Sequence, residues 1–189
     1  GEFEGSLANS ITDLSSEWNI SDDTQLTVAT CESIIKNKGI HPKKIAENFL
    51  DWYKKGKLTG LGVSTTQALE NLSVGVPWEK SGAMGAFAAG NGVAMRISPL
   101  AFVIDPRKNN EVVRQVANIT HQNNEAFSGA LTTATAIFMA TNGEWKGKND
   151  LLRKVFDSLP DSKLRFRIED ILVYENKMSV QDIAIKFGA

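Results

Sequence analysis

The sequence predicts an all-α fold, and three observations carry the prediction. Apolar residues recur at helical spacing along most of the chain, glycine, proline and asparagine punctuate those runs, and no alternating apolar–polar segment reaches strand length. The first helix is expected from Asp22 to about Lys36. There Leu26, Val28, Ala29, Cys31, Ile34 and Ile35 give an apolar surface broad enough for a helix buried on most sides. Ser21 stands at its N-cap position, and Asp22 and Asp23 suit the positive end of the helix dipole. Pro42 suits the first turn of a second helix, whose stripe is Ile45, Phe49, Trp52 and Tyr53. Gly56, Gly60 and Gly62 break that helix into a loop. Ser64 then caps a short helix running through Leu72, closed by Gly75 and Pro77.

Residues 77 to 96 depart from this pattern. Gly82, Gly85, Gly90 and Gly92 punctuate a small, apolar, aperiodic stretch that reads as an ordered loop, before a helical turn closed by Pro99. Helical spacing returns at Val112, Val113, Val116 and Ala117. A long helix then begins near Asn123, carries Phe127, Ala130, Leu131, Ala134, Ile137 and Phe138, and stops at Asn142-Gly143. Three shorter helices are expected after it: one on Leu151, Leu152, Val155 and Phe156, one on Leu164, Ile168, Ile171 and Leu172, and one on Val180, Ile183, Ala184 and Phe187.

At 189 residues the chain is long enough for one domain with a real core and too short to require two. Its 21 basic and 22 acidic residues leave a formal net charge of −1, which provides no broad cationic field to track a phosphate backbone. Nucleic acid is therefore not expected as a main partner. The single cysteine, Cys31, cannot form an internal disulfide and is expected to be a small buried hydrophobe. One cysteine and two histidines make no structural zinc site. With no recognisable leader and no apolar run of membrane-span length, a cytoplasmic protein with no membrane partner is expected.

Two motifs carry the chemistry. The first is Ser21-Asp22-Asp23-Thr24: adjacent carboxylates at a helix entrance offer hard oxygen ligands suited to Mg²⁺, and a bound cation relieves their mutual repulsion. The bland reading of the same residues is a capped helix start. The second is Gly90-Asn91-Gly92-Val93-Ala94-Met95-Arg96, where glycines let a backbone approach a ligand and turn amides can cradle phosphate oxygens. Its bland reading is a turn. Its spacing matches neither a Walker loop nor a dinucleotide fingerprint.

Together these segments resemble one family, the ADP-ribosylglycohydrolases, which include the dinitrogenase reductase-activating glycohydrolases. Ser21-Asp22-Asp23-Thr24-Gln25-Leu26-Thr27 resembles the family's first metal motif, with Ser21 in place of a threonine. Ser64-Thr65-Thr66-Gln67-Ala68-Leu69 resembles the segment ahead of its glycine loop. Ala89 to Leu100 resembles its signature loop, and Thr120-His121 before an alanine-rich helix resembles its Thr-His element. The resemblance implies an orthogonal multi-helix domain with a two-metal Mg²⁺ or Mn²⁺ centre. It also implies hydrolysis of the glycosidic bond at ribose C1 that joins ADP-ribose to a modified protein or small molecule. Carried over by position, Ser21, Asp22 and Asp23 would hold metal, and Asp22 and Asp23 would be catalytic residues as metal ligands first and as orienters of water second, neither of them the general acid. Gly90, Asn91, Gly92, Val93, Ala94 and Met95 would contact ADP-ribose, and His121 would lie near its adenosine side or else be a helix-cap or core imidazole. His41, ahead of Pro42, receives no role.

The family's Gly-Asp-Ala-Leu-Gly-like segment is not visible before Ser21, and its C-terminal Gly-Gly-Asp-Thr-Asp-Thr-like run is absent from the sequence. Residues 1–189 are therefore expected to form a single helical domain, incomplete at both ends. An assisting acid could come from Glu2, Glu4 or Asp13. Three functions stay open at this point: a metal-dependent ADP-ribosyl hydrolase, a catalytically impaired ADP-ribose-binding or protein-neutralising module, and an unrelated helical protein.

Overall fold

The computed structural model describes residues 20–174 and 179–187. The helices are α1 (Asp22–Asn37), α2 (Pro42–Lys54), α3 (Val63–Ser73), α4 (Trp78–Ser81), α5 (Asn110–Asn118), α6 (Asn124–Thr141), α7 (Lys148–Ser158), α8 (Lys163–Tyr174) and α9 (Val180–Phe187). Three 3₁₀ turns, Ala86–Ala88, Ala94–Arg96 and Ser98–Phe102, fill the glycine-rich region, and the fold is all-α as the sequence predicts. Among the described residues no helix is long and apolar enough to cross a membrane.

Helix α6 is the central post. Asn123 caps it, its side-chain oxygen accepting from the amides of Glu125 (2.8 Å) and Ala126 (3.3 Å), and Gly143 at φ +69° ends it. Its buried face, Ala126, Phe127, Ala130, Leu131 and Ala134, packs on α5, α7, α8 and the two 3₁₀ turns between residues 94 and 102. Small alanines let those turns approach the helix closely. Leu26 of α1, Ile45 and Phe49 of α2, Leu69 of α3, and Val93, Ile97 and Leu100 of the loop complete the core, each fully buried. Burying each large apolar side chain contributes about 1.5–3 kcal/mol, so these contacts dominate the hold on the loop.

Several local expectations change. Helix α1 is not buried on most sides: Val28 and Ile35 are exposed, Cys31 is only half-buried, and the inward face is Gln25, Leu26, Ala29, Thr30, Ser33 and Ile34. The Thr30 hydroxyl donates to the Leu26 carbonyl one turn back, at 2.8 Å. The Gln25 side chain donates to Thr59 Oγ1 at 2.8 Å and accepts from the Thr59 amide at 2.8 Å, clamping α1 to the loop before α3. Helix α3 starts at Val63 with Gly62 at the cap position, two residues ahead of Ser64. The stretch 77 to 96 is not simply a loop, because it contains α4, two 3₁₀ turns and the short strand β1 (Ala83–Met84). β1 pairs in parallel with β2 (His121–Gln122), in the register Ala83 with His121. Two-residue strands have no alternation for a sequence to display, which is why they were not expected.

Candidate active site

At the start of α1, Ser21 has extended backbone (φ −72°, ψ 170°) and its carbonyl accepts the Gln25 amide at 3.0 Å. It occupies the cap position, but its hydroxyl does not cap. It donates instead to Asp23 Oδ2 at 2.9 Å. Ser21, Asp22 and Asp23 are all half-buried. Partial burial, and then the neighbouring Asp23 charge, push the Asp22 carboxyl above the usual aspartate range. One turn along the helix the Thr27 hydroxyl lies 2.7 Å from the Asp23 carbonyl and 3.4 Å from the Met95 carbonyl. The two motifs, more than sixty residues apart in sequence, therefore meet through α1.

The glycine turn is pinned from below. Val93 and Ile97 sit in the core, so any ligand contact by Val93 must come from its backbone, not its side chain. Gly90 and Asn91 face solvent, while Gly92, Ala94 and Met95 are half-buried. The amides of Met95 and Arg96 are engaged by the Asn91 and Val93 carbonyls (3.1 and 3.2 Å). Those of Gly92 and Val93 meet no acceptor among the described residues. Gly92 has no positive φ to satisfy; space is its reason for being glycine. A Cβ there would come within 2.7 Å of His121 Cε1 and 3.3 Å of Thr65 Oγ1.

His121 sits on β2, neither at a helix cap nor loose in the core. Gly82 lets β1 pass beside it, since a Cβ at Gly82 would collide with the Asn118 carbonyl. The Ala83 amide donates to the Thr120 carbonyl at 3.0 Å, and Ser81 Oγ donates to the Ile119 carbonyl at 2.8 Å. Beneath the imidazole lies Arg96, fully buried, with its guanidinium 5.0 Å from the centre of the Phe49 ring. Arg96 Nη2 donates to Thr120 Oγ1 at 2.6 Å, and the same hydroxyl lies 2.8 Å from His121 Nδ1. Arg96 Nε and Nη1 have no partner among the described residues. Burial alone pulls Arg96 down to about 9, still charged at neutral pH. Burial, and then the Arg96 charge, pull His121 down to about 4, so its ring is neutral.

The arrangement thus joins a pair of acids at a helix entrance, a glycine turn with open amides, and a neutral buried imidazole against that turn. The profile of the ADP-ribosylglycohydrolases matches residues 2–186. The chain belongs to the ADP-ribosylglycohydrolase family. It is 30% identical over 192 residues to an uncharacterised protein of Archaeoglobus fulgidus, covering 97% of this chain and 58% of that one. To YegU of Escherichia coli, also uncharacterised, it is 28% identical over 174 residues, covering 87% and 49%. To the ADP-ribosylhydrolase ARH3 of Gallus gallus it is 27% identical over 130 residues, covering 65% and 35%. The chain therefore spans roughly half the length of the curated relatives it matches.

Sequence reasoning named Asp22, Asp23, the glycine turn and His121, but gave no role to Thr27, Thr65, Arg96 or Thr120. The signals were present, since each lies inside or beside a quoted motif. Glu2, Glu4 and Asp13 lie outside the described residues. Among the described residues no group of three or more acids, histidines or cysteines assembles. By the chemistry of their donors Ser21, Asp22 and Asp23 nonetheless fit one side of a hard-cation shell: two adjacent carboxylates beside a hydroxyl. An octahedral Mg²⁺ there would keep several waters.

Proposed function

We propose that this chain carries the ADP-ribose-facing and metal-facing halves of a hydrolase that releases ADP-ribose from a modified acceptor by cleaving the glycosidic bond at ribose C1. The observation that supports the reading is the junction at Thr27 and Met95, which joins α1, the helix that begins with the acids, to the end of the glycine turn. Asp22, Asp23 and Ser21 would hold Mg²⁺ or Mn²⁺, which when bound polarises a water and orients ribose hydroxyls. The open amides of Gly92 and Val93 would receive oxygens of the diphosphate. Gly90 and Asn91 would leave the mouth of the turn open, Ala94 and Met95 would anchor its far side, and His121 would meet the adenosine half. The transition state should carry oxocarbenium character, with Asp22 or Asp23 acting as a metal ligand first and as an orienter of water second. Substrates would be ADP-ribosylated proteins or small molecules, met in the cytoplasm.

The test is release of ADP-ribose from arginine- and serine-modified proteins, with and without EDTA. Release that EDTA abolishes supports the hydrolase; release indifferent to EDTA refutes the metal assignment. A second reading, an ADP-ribose-binding module without turnover, is favoured by the lack of a three-ligand cluster among the described residues. Calorimetric binding of ADP-ribose with no release from any modified protein would select it.

A further inference from the structure

We infer that Arg96, Thr120 and His121 form a relay that holds the His121 imidazole neutral with its proton on Nε2, making it a fixed hydrogen-bond donor beside the glycine turn. A guanidinium has only donors, so Thr120 Oγ1 must accept from Arg96 Nη2 across their 2.6 Å contact. The hydroxyl's own hydrogen then needs an acceptor. Thr120 is fully buried, and the one other group within reach of its oxygen is His121 Nδ1 at 2.8 Å. Were Nδ1 the donor, that hydrogen would be stranded in the core, which is unfavourable. Thr120 therefore donates to Nδ1, and the ring proton sits on Nε2. A doubly protonated ring would strand the same hydrogen and add a second charge facing Arg96, the charged side chain set against it; the low imidazole pKa of about 4 agrees.

The Nε2 edge looks toward the turn, 3.1 Å from where a Gly92 Cβ would stand and 3.9 Å from where a Gly90 Cβ would stand. It has no protein partner among the described residues and is not one of the sealed polar atoms, so it opens to solvent. Arg96 and Thr120 are positioning residues in this scheme, because they act through His121. What Nε2–H would meet is an acceptor oxygen or ring nitrogen of the bound nucleotide, a part of the inference that rests on the ADP-ribose reading proposed above.

Nitrogen-15 spectra of histidine-labelled protein test the relay without any ligand, with His41→Gln assigning the two rings. Wild type is expected to show a pyrrole-type Nε2 and a pyridine-type Nδ1. Thr120→Val should move His121 to a mixed tautomer and weaken ADP-ribose binding about five- to tenfold by calorimetry, the effect of one mispaired hydrogen bond. Thr120→Ser should restore both. Arg96→Met should let His121 protonate at higher pH, and an unmoved titration would remove Arg96 from the scheme. A protonated Nδ1 in wild type, or an unchanged tautomer in Thr120→Val, overturns the relay. Should Thr120→Val fail to fold, the wild-type spectrum and Thr120→Ser still decide. Wild type that shows the expected tautomer but binds no ADP-ribose overturns the nucleotide reading instead.

Discussion

The two ends of the candidate site are built to different standards. Around the glycine turn, Val93, Arg96 and Thr120 are fully buried, His121 is 3% exposed, and each polar contact is set by a neighbour packed into the core. At the start of α1, Ser21, Asp22 and Asp23 are half-buried, their contacts are local, and Asp22 is held at a raised pKa by partial burial and by Asp23. One end is held in place by core packing, with the Gly92 and Val93 amides and Arg96 Nε and Nη1 left without a partner among the described residues. The other leaves two neighbouring acids half-buried side by side, where the proposed function would seat a cation. A binding surface can be preorganised by packing, whereas a metal seat must keep its acids accessible and repelling until the ion arrives.

That contrast can be broken most sharply at the acidic end. Replacing Asp22 and Asp23 together by alanine should reduce EDTA-sensitive ADP-ribose release by about 10³-fold or more, the scale of losing several kcal/mol of metal assistance. Its helicity by circular dichroism should stay near wild type, because neither carboxylate holds the core. Loss of helicity with activity would make the acids structural caps.

The buried end should show itself in pH dependence. His121 falls from 6.5 unfolded to about 4 folded, so the unfolded chain takes up a proton first as pH drops. Its contribution is complete above 6.5 and is lost as pH falls toward 4, by about 3 kcal/mol over the window. Denaturant titrations of wild type and His121→Gln at matched pH should diverge across this interval. Parallel curves would place the imidazole in water.

A steric pair sharpens the same comparison. Gly92→Val must push His121 aside, and overpacking of this kind costs about 1–3 kcal/mol, with ADP-ribose affinity falling too. Gly90→Ala places its Cβ 3.9 Å from Nε2, ordinary contact, and should leave stability within about 0.5 kcal/mol of wild type. Equal behaviour of the two variants would show that the turn does not rest on the imidazole. A modest effect belongs to the post behind the site: Asn123→Ala removes a cap that accepts from two amides and should lower stability by about 1 kcal/mol, read as a shifted denaturation midpoint.

Much of this was written in the chain itself. Helix α6 begins after Asn123 and ends at Gly143 because an Asx side chain caps amides within three residues and a positive φ favours glycine, both local effects. The Asp22-Asp23 pair and the spaced glycines could be found for the same reason: their chemistry lies in adjacent residues. Tertiary structure alone decided which face of α1 turns inward, that β1 and β2 pair at all, and that Gly92 is small to make room for a histidine 29 positions later. It also set Arg96 under Thr120 and His121, 24 residues apart, where neither spacing nor composition could put it. Local order follows from each residue's own conformational and hydrogen-bonding preferences, whereas these pairings arise only when burial of the shared core closes the intervening loops.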